Sequence, residues 1–354
     1  MPTVSNKTTR HIKAAVFAAA FLAFSHLSDA QEVHIAVPDI TPPSGADTVS
    51  VVFIGDVMMH SRQLGYDSRE FLGRIEPLLS GADIAVANAE FTMAGPPYTG
   101  YPRFSSPDNF AGDICGNGVD VLMVANNHIL DKGSAGFRRT LDKMPCPFTG
   151  AGRDAAEFAD RNPLIVPCKG MRIAFVNFTY GTNLGGESAW PKVNRMDKGA
   201  VSAQIARARE RGADFIIALP HWGVEYSLVH NRSQEEWAVF LKEQGVDAVI
   251  GAHPHVVQDT CFIGGMPVVY SMGNAVSNMS APNTQLGLAV VLRMVCHNPS
   301  GARSLLRPEL HFLWCSLPGE IGDNYLVVEV EDHVSDHPRM RQTLERVKEK
   351  TGIE

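Results

Sequence analysis

The stretch Val246-Asp247-Ala248-Val249-Ile250-Gly251-Ala252-His253-Pro254-His255 reads as a short apolar strand running straight into a Gly/Pro-bounded turn. Two imidazoles two residues apart on such a turn point the same way and can hold cations. The pair alone could equally line a polar loop. What decides the matter is whether other strand ends carry similar groups.

Working outward, the pattern of strand, polar loop and amphipathic helix repeats along the 354 residues. Apolar runs predict strands at 50–54, 83–86, 119–124, 172–177, 214–219, 248–250 and 267–270. Helical periodicity predicts helices at 69–79, 134–144, 201–211 and 233–243, the last opening with a Ser-x-x-Glu capping signal at Ser233 and Glu236. The C-terminal third changes to strands at 286–295, 305–314 and 325–330, then a charged helix over about 339–350. Strands alternating with helices imply a layered α/β fold, and the later run of strands suggests a second sheet packed on the first. In such folds ligands sit at the carboxyl ends of the strands.

The chain is 45% hydrophobic and 19% charged, enough to bury a full core in one large domain, expected over 49–335 with an appended C-terminal helix in 336–354. Lys7, Arg10 and Lys13 precede an apolar run from Ala14 to Phe24, and Ser28-Asp29-Ala30 offers small residues for cleavage. Residues 1–30 therefore read as a secretory signal peptide, the run being shorter than the roughly 20 residues of a spanning helix. An uncleaved N-terminal membrane anchor is the alternative. Residues 31–48 form a Pro-rich linker. The expected location is extracytoplasmic: periplasmic, secreted or at the cell surface.

Removing residues 1–30 takes the formal charge from 31 − 38 = −7 to 28 − 37 = −9. Without clustered Lys/Arg, that balance argues against nucleic acid as a partner. The six cysteines form no CxxC knuckle, and an exported chain can oxidise them. Cys296 and Cys315 flank an apparent hairpin and are the favoured pair, with buried free thiols as the other reading.

The strand ends carry the chemistry. The first ends in Ile54-Gly55-Asp56, an aspartate on what reads as a tight glycine turn. The second ends in Asn88-Ala89-Glu90, where alternation puts Asn88 and Glu90 on one face. The third ends in Asn126-Asn127-His128, and a later one in Pro220-His221. Together with His253 and His255 these form a carboxylate, amide and imidazole set without thiolate, which suits Mn, Fe or Zn. The candidates outnumber the four ligands of a closed structural zinc site. Two divalent ions about 3.5–4 Å apart, sharing a carboxylate, use them more naturally, and such a pair activates water. Glu90 is the expected bridge, and His128 the expected general acid.

The stretches GDVMMH at 55–60, NAEF at 88–91, ANNHILDKG at 125–133, NFTYGTN at 177–183, HWGVEY at 221–226, GAHPHVVQ at 251–258 and YSMGNAVSN at 270–278 resemble, in order, the motifs of the CapA family. These are capsule (poly-gamma-glutamate) biosynthesis proteins, distantly related to calcineurin-like metallophosphoesterases. The resemblance covers about residues 49–280. It implies a four-layer αββα sandwich with two metals at the strand ends. Asp56 would match the first aspartate, Asn127 the asparagine ligand, His128 the catalytic histidine, His221 the lone downstream ligand, and His253 and His255 the terminal pair. Two departures stand out. Met58 occupies the place of the histidine expected after the first aspartate, and Asn88 with Glu90 replaces a second aspartate. His60 is a weak substitute, displaced by two residues.

Around this set, Trp222 and Tyr226 could frame a substrate mouth or fill core, Arg62 could bind a substrate anion or be solvated, and Ser271 and Asn274 could brace the histidines. Three functions fit. The first is an exported metal-dependent hydrolase or transferase in poly-gamma-glutamate or capsule synthesis, export or anchoring, acting on an acidic polymer or a small molecule. The second is a non-catalytic accessory subunit that binds a membrane-bound polymer synthase or exporter. The third is an extracytoplasmic phosphoesterase.

Overall fold

The computed structural model describes residues 47–185, 189–297 and 300–354. The expected signal peptide, and the linker as far as residue 46, lie outside the described residues. Asp47 and Thr48, expected in the linker, already belong to the first strand.

In chain order the strands are β1 (Asp47–Val57), β2 (Ile84–Ala89), β3 (Val121–Met123), β4 (Phe148–Thr149), β5 (Ala151–Gly152), β6 (Leu164–Cys168) and β7 (Met171–Thr179). There follow β8 (Lys192–Val193), β9 (Phe215–His221), β10 (Ala248–Ile250), β11 (Thr260–Ile263), β12 (Met266–Val269) and β13 (Asn274–Val276). The last are β14 (Leu286–His297), β15 (Ala302–Leu305), β16 (Glu309–Ser316) and β17 (Leu326–Glu329). One sheet has the order β17-β16-β14-β1-β2-β3-β4, with β13 also pairing β1 and β15 pairing β14. The other runs β11-β12-β10-β9-β7-β6.

Alternation along β1 divides its side chains between two layers. Val52 and Ile54 join an apolar layer with Phe110, Ile114, Phe137 and Leu141 of helices Asn109–Gly116 and Gly133–Asp142. Val51 and Phe53 face the second sheet and meet Ile173, Phe175, Ile217 and Ile250, with the Phe53 and Phe175 rings edge to face at 6.1 Å. The other side of the second sheet is covered by Val201, Ile205, Trp237 and Leu241 of helices Lys198–Glu210 and Arg232–Glu243. The result is helix, sheet, sheet, helix. Terminal helix Pro338–Thr351 seals the layer between the sheets with Met340 and Val347.

The two sheets divide the chain differently from the sequence expectation. The C-terminal strands do not make the second sheet. They extend the first, because β14 lies antiparallel along β1 from Asp47↔Cys296 to Ile54↔Ala289. A β1 strand buried on both faces needs a neighbour on each edge, and β14 supplies the second one. The second sheet comes from the middle of the chain.

A repeated device fixes the parallel registers. The side chains of Asp83, Asp120, Asp214 and Asp247 accept hydrogen bonds from the backbone N–H groups of Ser50, Ala85, Arg172 and Ile216 on neighbouring strands, at 2.7–2.9 Å. Each aspartate satisfies an amide at the amino end of a parallel strand, where the ladder begins. The opposite ends are left for chemistry.

Local differences have local causes. The helix expected at 69–79 breaks into a 3-10 turn, Ser68–Glu70, and a short helix, Glu76–Ser80, separated by a stretch containing Gly73; Pro77 opens the second piece. Arg232–Glu243 is capped by Asn231 and Gln234 in a reciprocal box, two residues ahead of the expected Ser233/Glu236 pair. The strand expected at 305–314 is divided into β15 and β16 around Pro308, which has no N–H to donate.

The disulfide joins Cys115 to Cys146, across a sequence separation of 31, while Cys296 and Cys315 are unbonded. The favoured pairing fails on register. β14 meets β16 only over residues 286–291, and Cys296 lies beyond, opposite Arg303 of β15. The link ties helix Asn109–Gly116 to the approach to edge strand β4. The double substitution Cys115→Ser, Cys146→Ser should cost about 3–4 kcal/mol of unfolding free energy by loop-closure entropy. Non-reducing urea titration measures it, and unchanged stability would mean that the link contributes nothing.

Candidate metal centre

Every candidate side chain arrives from the carboxyl end of a strand. In β1, Ile54 pairs with Ala87 and Asp56 with Asn88, so Gly55 is an extra, bulged residue within the strand and not the expected turn. A Cβ on Gly55 would lie 1.9 Å from the Gly273 carbonyl oxygen, so only glycine fits the bulge that sets Asp56. Asn88 and Glu90 leave β2 together, and the Glu90 N–H is held by the Val57 carbonyl at 3.0 Å. Asn127 and His128 follow β3, His221 ends β9, and His253 and His255 follow β10.

The His-x-His turn is strained. His253 has φ 103° and His255 φ 59°, both in the left-handed region that non-glycine residues avoid. Its backbone is pinned on several sides: Gly251 N–H to Val269 O at 2.8 Å, Ala252 N–H to Pro220 O at 3.0 Å, and Trp222 N–H to Ala252 O at 3.1 Å. The Ser271 hydroxyl donates to Val256 O at 2.8 Å, so Ser271 braces the loop backbone and not a histidine ring.

Asp56, Asn88, Glu90, Asn127, His128, His221, His253 and His255 converge in one buried cluster. Two triads, Asp56/Glu90/His221 and Glu90/His253/His255, each present donor atoms within 4.8 Å of one another. Glu90 belongs to both. Its Oε1 lies 3.7 Å from His221 Nε2 and 3.9 Å from both His128 Nε2 and His255 Nε2, yet neither carboxylate oxygen has a hydrogen-bond partner. Asn88 Oδ1 and His253 Nδ1 are likewise buried and unpartnered. Burial, and then the charge of Asp56, push the Glu90 carboxyl well above the usual range.

The other donors satisfy each other. Asn88 Nδ2 donates to Asp56 Oδ1 at 2.7 Å and lies 3.2 Å from His221 Nδ1, while His221 Nε2 is 2.9 Å from Asn127 Oδ1. These contacts are consistent if the Asn88 amide donates to His221 Nδ1 and His221 Nε2–H donates to Asn127. His255 Nδ1 sits between Asp56 Oδ2 at 3.1 Å and Asn274 Oδ1 at 3.0 Å, so Asn274 does brace this histidine and leaves Nε2 toward Glu90. Burial, then neighbouring His253, lower the His221 pKa; burial brings His253 to about 3. For His255 burial is outweighed by the hydrogen bond and charge of Asp56, and its pKa rises. Neutral imidazoles are the form that ligates cations. Orphaned carboxylate, amide and imidazole atoms in one buried cluster therefore fit a divalent ion.

Met58 is buried in the apolar layer between the first sheet and its helices, and so is no ligand. His60 belongs to neither triad: its Nδ1 accepts the Asn278 N–H at 3.2 Å and its ring packs edge-on to Phe104 at 5.3 Å. Trp222 is core, donating from Nε1 to Tyr270 O at 2.9 Å. Arg62 is exposed on the 3-10 turn Ser61–Gly65. Tyr226 does lie at the rim, with Tyr101 and Tyr180.

Other residues gain roles only from the fold. Asp131 Oδ2 lies 2.7 Å from His128 Nδ1 and also accepts the Phe104 N–H at 2.8 Å, fixing the ring; the i, i+3 spacing within ANNHILD was the available signal. Asn177 of β7 accepts the Ala125 N–H at 2.8 Å and donates to Leu219 O at 2.7 Å, joining the two sheets beneath the centre. Asn183 N–H donates to Asn127 O at 2.8 Å.

The family model "Bacterial capsule synthesis protein PGA_cap" matches residues 50–279, which include every residue of this cluster. The chain belongs to that family. It is 27% identical over 259 residues to the PGA biosynthesis protein CapA of Bacillus subtilis (strain 168), covering 68% of this chain and 66% of that protein. It is 24% identical over 257 residues to the capsule biosynthesis protein CapA of Bacillus anthracis, covering 68% of this chain and 62% of that one. The chain thus spans just under two thirds of these relatives' lengths. Its fold is similar to that of Haemophilus influenzae NAD nucleotidase (NadN), with TM-score 0.50 at 13% identity over 85% of this chain and 63% of that chain. The layered architecture of this PGA_cap protein is metallophosphoesterase-like.

A Cβ on Gly251 would lie 2.1 Å from the Tyr270 carbonyl oxygen and 2.5 Å from Trp222 Nε1. Gly251→Ala should therefore cost about 1–3 kcal/mol or more, read from urea unfolding. Wild-type stability in that variant would show that the turn moves aside freely.

Proposed function

We propose that this chain is an exported CapA-type protein acting in the synthesis, export or anchoring of poly-gamma-glutamate or a similar capsule polymer, as a metal-dependent hydrolase or transferase. The carrying observation is Glu90, a buried carboxylate with both oxygens unpartnered and three histidine Nε2 atoms within 3.9 Å. The two triads that share it would hold two divalent ions of the Mn, Fe or Zn group, with Asn88 and Asn127 completing the ligand set. When bound, such ions polarise the scissile group and lower the pKa of water.

The protein's own residues supply the rest. Asp131 holds the His128 Nδ1–H, so that Nε2 faces Glu90 and can carry a proton to the leaving group. Asn274 and Asp56 fix the tautomer of His255, as metal-ligating histidines require. The Cys115–Cys146 link supports an oxidising, extracytoplasmic location, and the leader read at residues 1–30 supports export. The relatives' names support a role in capsule polymer synthesis; an acidic polymer or small molecule as substrate and membrane-bound synthase or export subunits as partners complete the proposal.

A second reading, a non-catalytic accessory subunit, is favoured by Met58, whose burial in core removes one expected ligand. The two readings separate in one experiment. Metal-loaded wild type should turn over model phosphoesters or gamma-glutamyl amides, His253→Ala should lose metal and activity together, and His128→Gln should keep its metal while kcat falls about 10²–10⁴-fold. A metal-loaded protein without turnover, whose capture of synthase subunits survives His128→Gln, would establish the accessory role. Preference for nucleotide monoesters would instead mark an extracytoplasmic phosphoesterase.

A further inference from the structure

The rim of the centre carries a chemistry that the ligand set does not use. Tyr180 is 48% exposed with its ring 4.6 Å from that of His253, and Tyr226 is 51% exposed with its ring 6.3 Å from that of His255. Glu225, between His221 and the anchored part of its loop, is exposed and belongs to neither triad. The loop is not loose. Tyr226 N–H donates to Pro254 O at 2.8 Å, and Gln258 Nε2 donates to Ser227 O at 2.9 Å, tying residues 226–229 to the His-x-His turn.

The charge of Glu225 reaches both phenols and the centre itself. Burial, then Glu225, push Tyr180 up to about 12, and the same two causes raise Tyr226. Glu225 also acts on Glu90 and His255. Among the described residues, no lysine or arginine stands with the leading causes that shift Glu90, His221, His253, His255, Tyr180 or Tyr226. A rim built for a bare anion would carry the opposite sign.

We propose that Glu225, Tyr180 and Tyr226 form a receptor for an ammonium group carried by the substrate beside the bond that the centre acts on. The inference rests on the reading of the centre as a metal site. A carboxylate beside two half-exposed aromatic rings is the arrangement that recognises an ammonium ion, through ion pairing and attraction to the ring faces. It makes Glu225 a specificity determinant, so that the preferred substrate end bears a free amine rather than only carboxylates.

The test uses the full mature chain loaded with Mn²⁺ and titrated calorimetrically with 2-aminoethyl phosphate and with ethyl phosphate, which share a phosphate and differ in the ammonium. Wild type should bind the aminoethyl compound about five- to tenfold more tightly. Glu225→Gln, with its metal content intact, should bind the two within about twofold of each other, and Tyr180→Leu should reduce the preference in part. Metal-dependent binding of both probes without preference in wild type, or a preference that persists in Glu225→Gln, overturns the receptor and leaves the metal centre standing. A wild type that takes up no Mn²⁺ and binds neither probe overturns both.

Discussion

A carboxylate taken out of water with nothing to bond is among the costliest groups a fold can carry, and Glu90 is held in that state by strands on both sides. Its folded pKa lies above its unfolded value, so the protonated form contributes stability at acid pH that is lost as the pH rises. At neutral pH the metal-free carboxyl opposes folding. Only a cation relieves that without a proton, and the donors that could share one are already in place: Asp56 and His221 on one side, His253 and His255 on the other.

The architecture serves this one placement. Aspartates pin the amino ends of neighbouring parallel strands, which fixes register and therefore which residues emerge at the carboxyl ends. The Gly55 bulge, the left-handed His253 and His255, and the Asn177 bridge between sheets then set the last few ångströms. Strain of this kind persists where surrounding hydrogen bonds over-determine it, and here the Gly251–Val269 and Ala252–Pro220 bonds do so.

The strands that deliver ligands were legible because each is a short apolar run that ends abruptly in polar groups, as at Ile54-Gly55-Asp56 or Leu219-Pro220-His221. Their convergence was not readable from any one of them; it came from several strand ends agreeing, strengthened by the ordered motifs. What stayed hidden depends on pairing across distance. No local pattern reveals that β14 lies along β1, that Cys146 rather than Cys296 finds a partner, or that Asp131 fixes His128. The rim was half visible: Tyr226 was picked out with Trp222, yet only the fold shows Trp222 as core and Tyr180 packed against His253.

The most direct measurement is anomalous diffraction from a crystal of the mature chain soaked in Mn²⁺, recorded so that manganese alone scatters strongly. Two peaks beside the Glu90 carboxylate, one toward Asp56 and His221 and one toward His253 and His255, are predicted. A crystal soaked to saturation with no peak near Glu90 would contradict the claim that this carboxylate is buried in order to hold a cation.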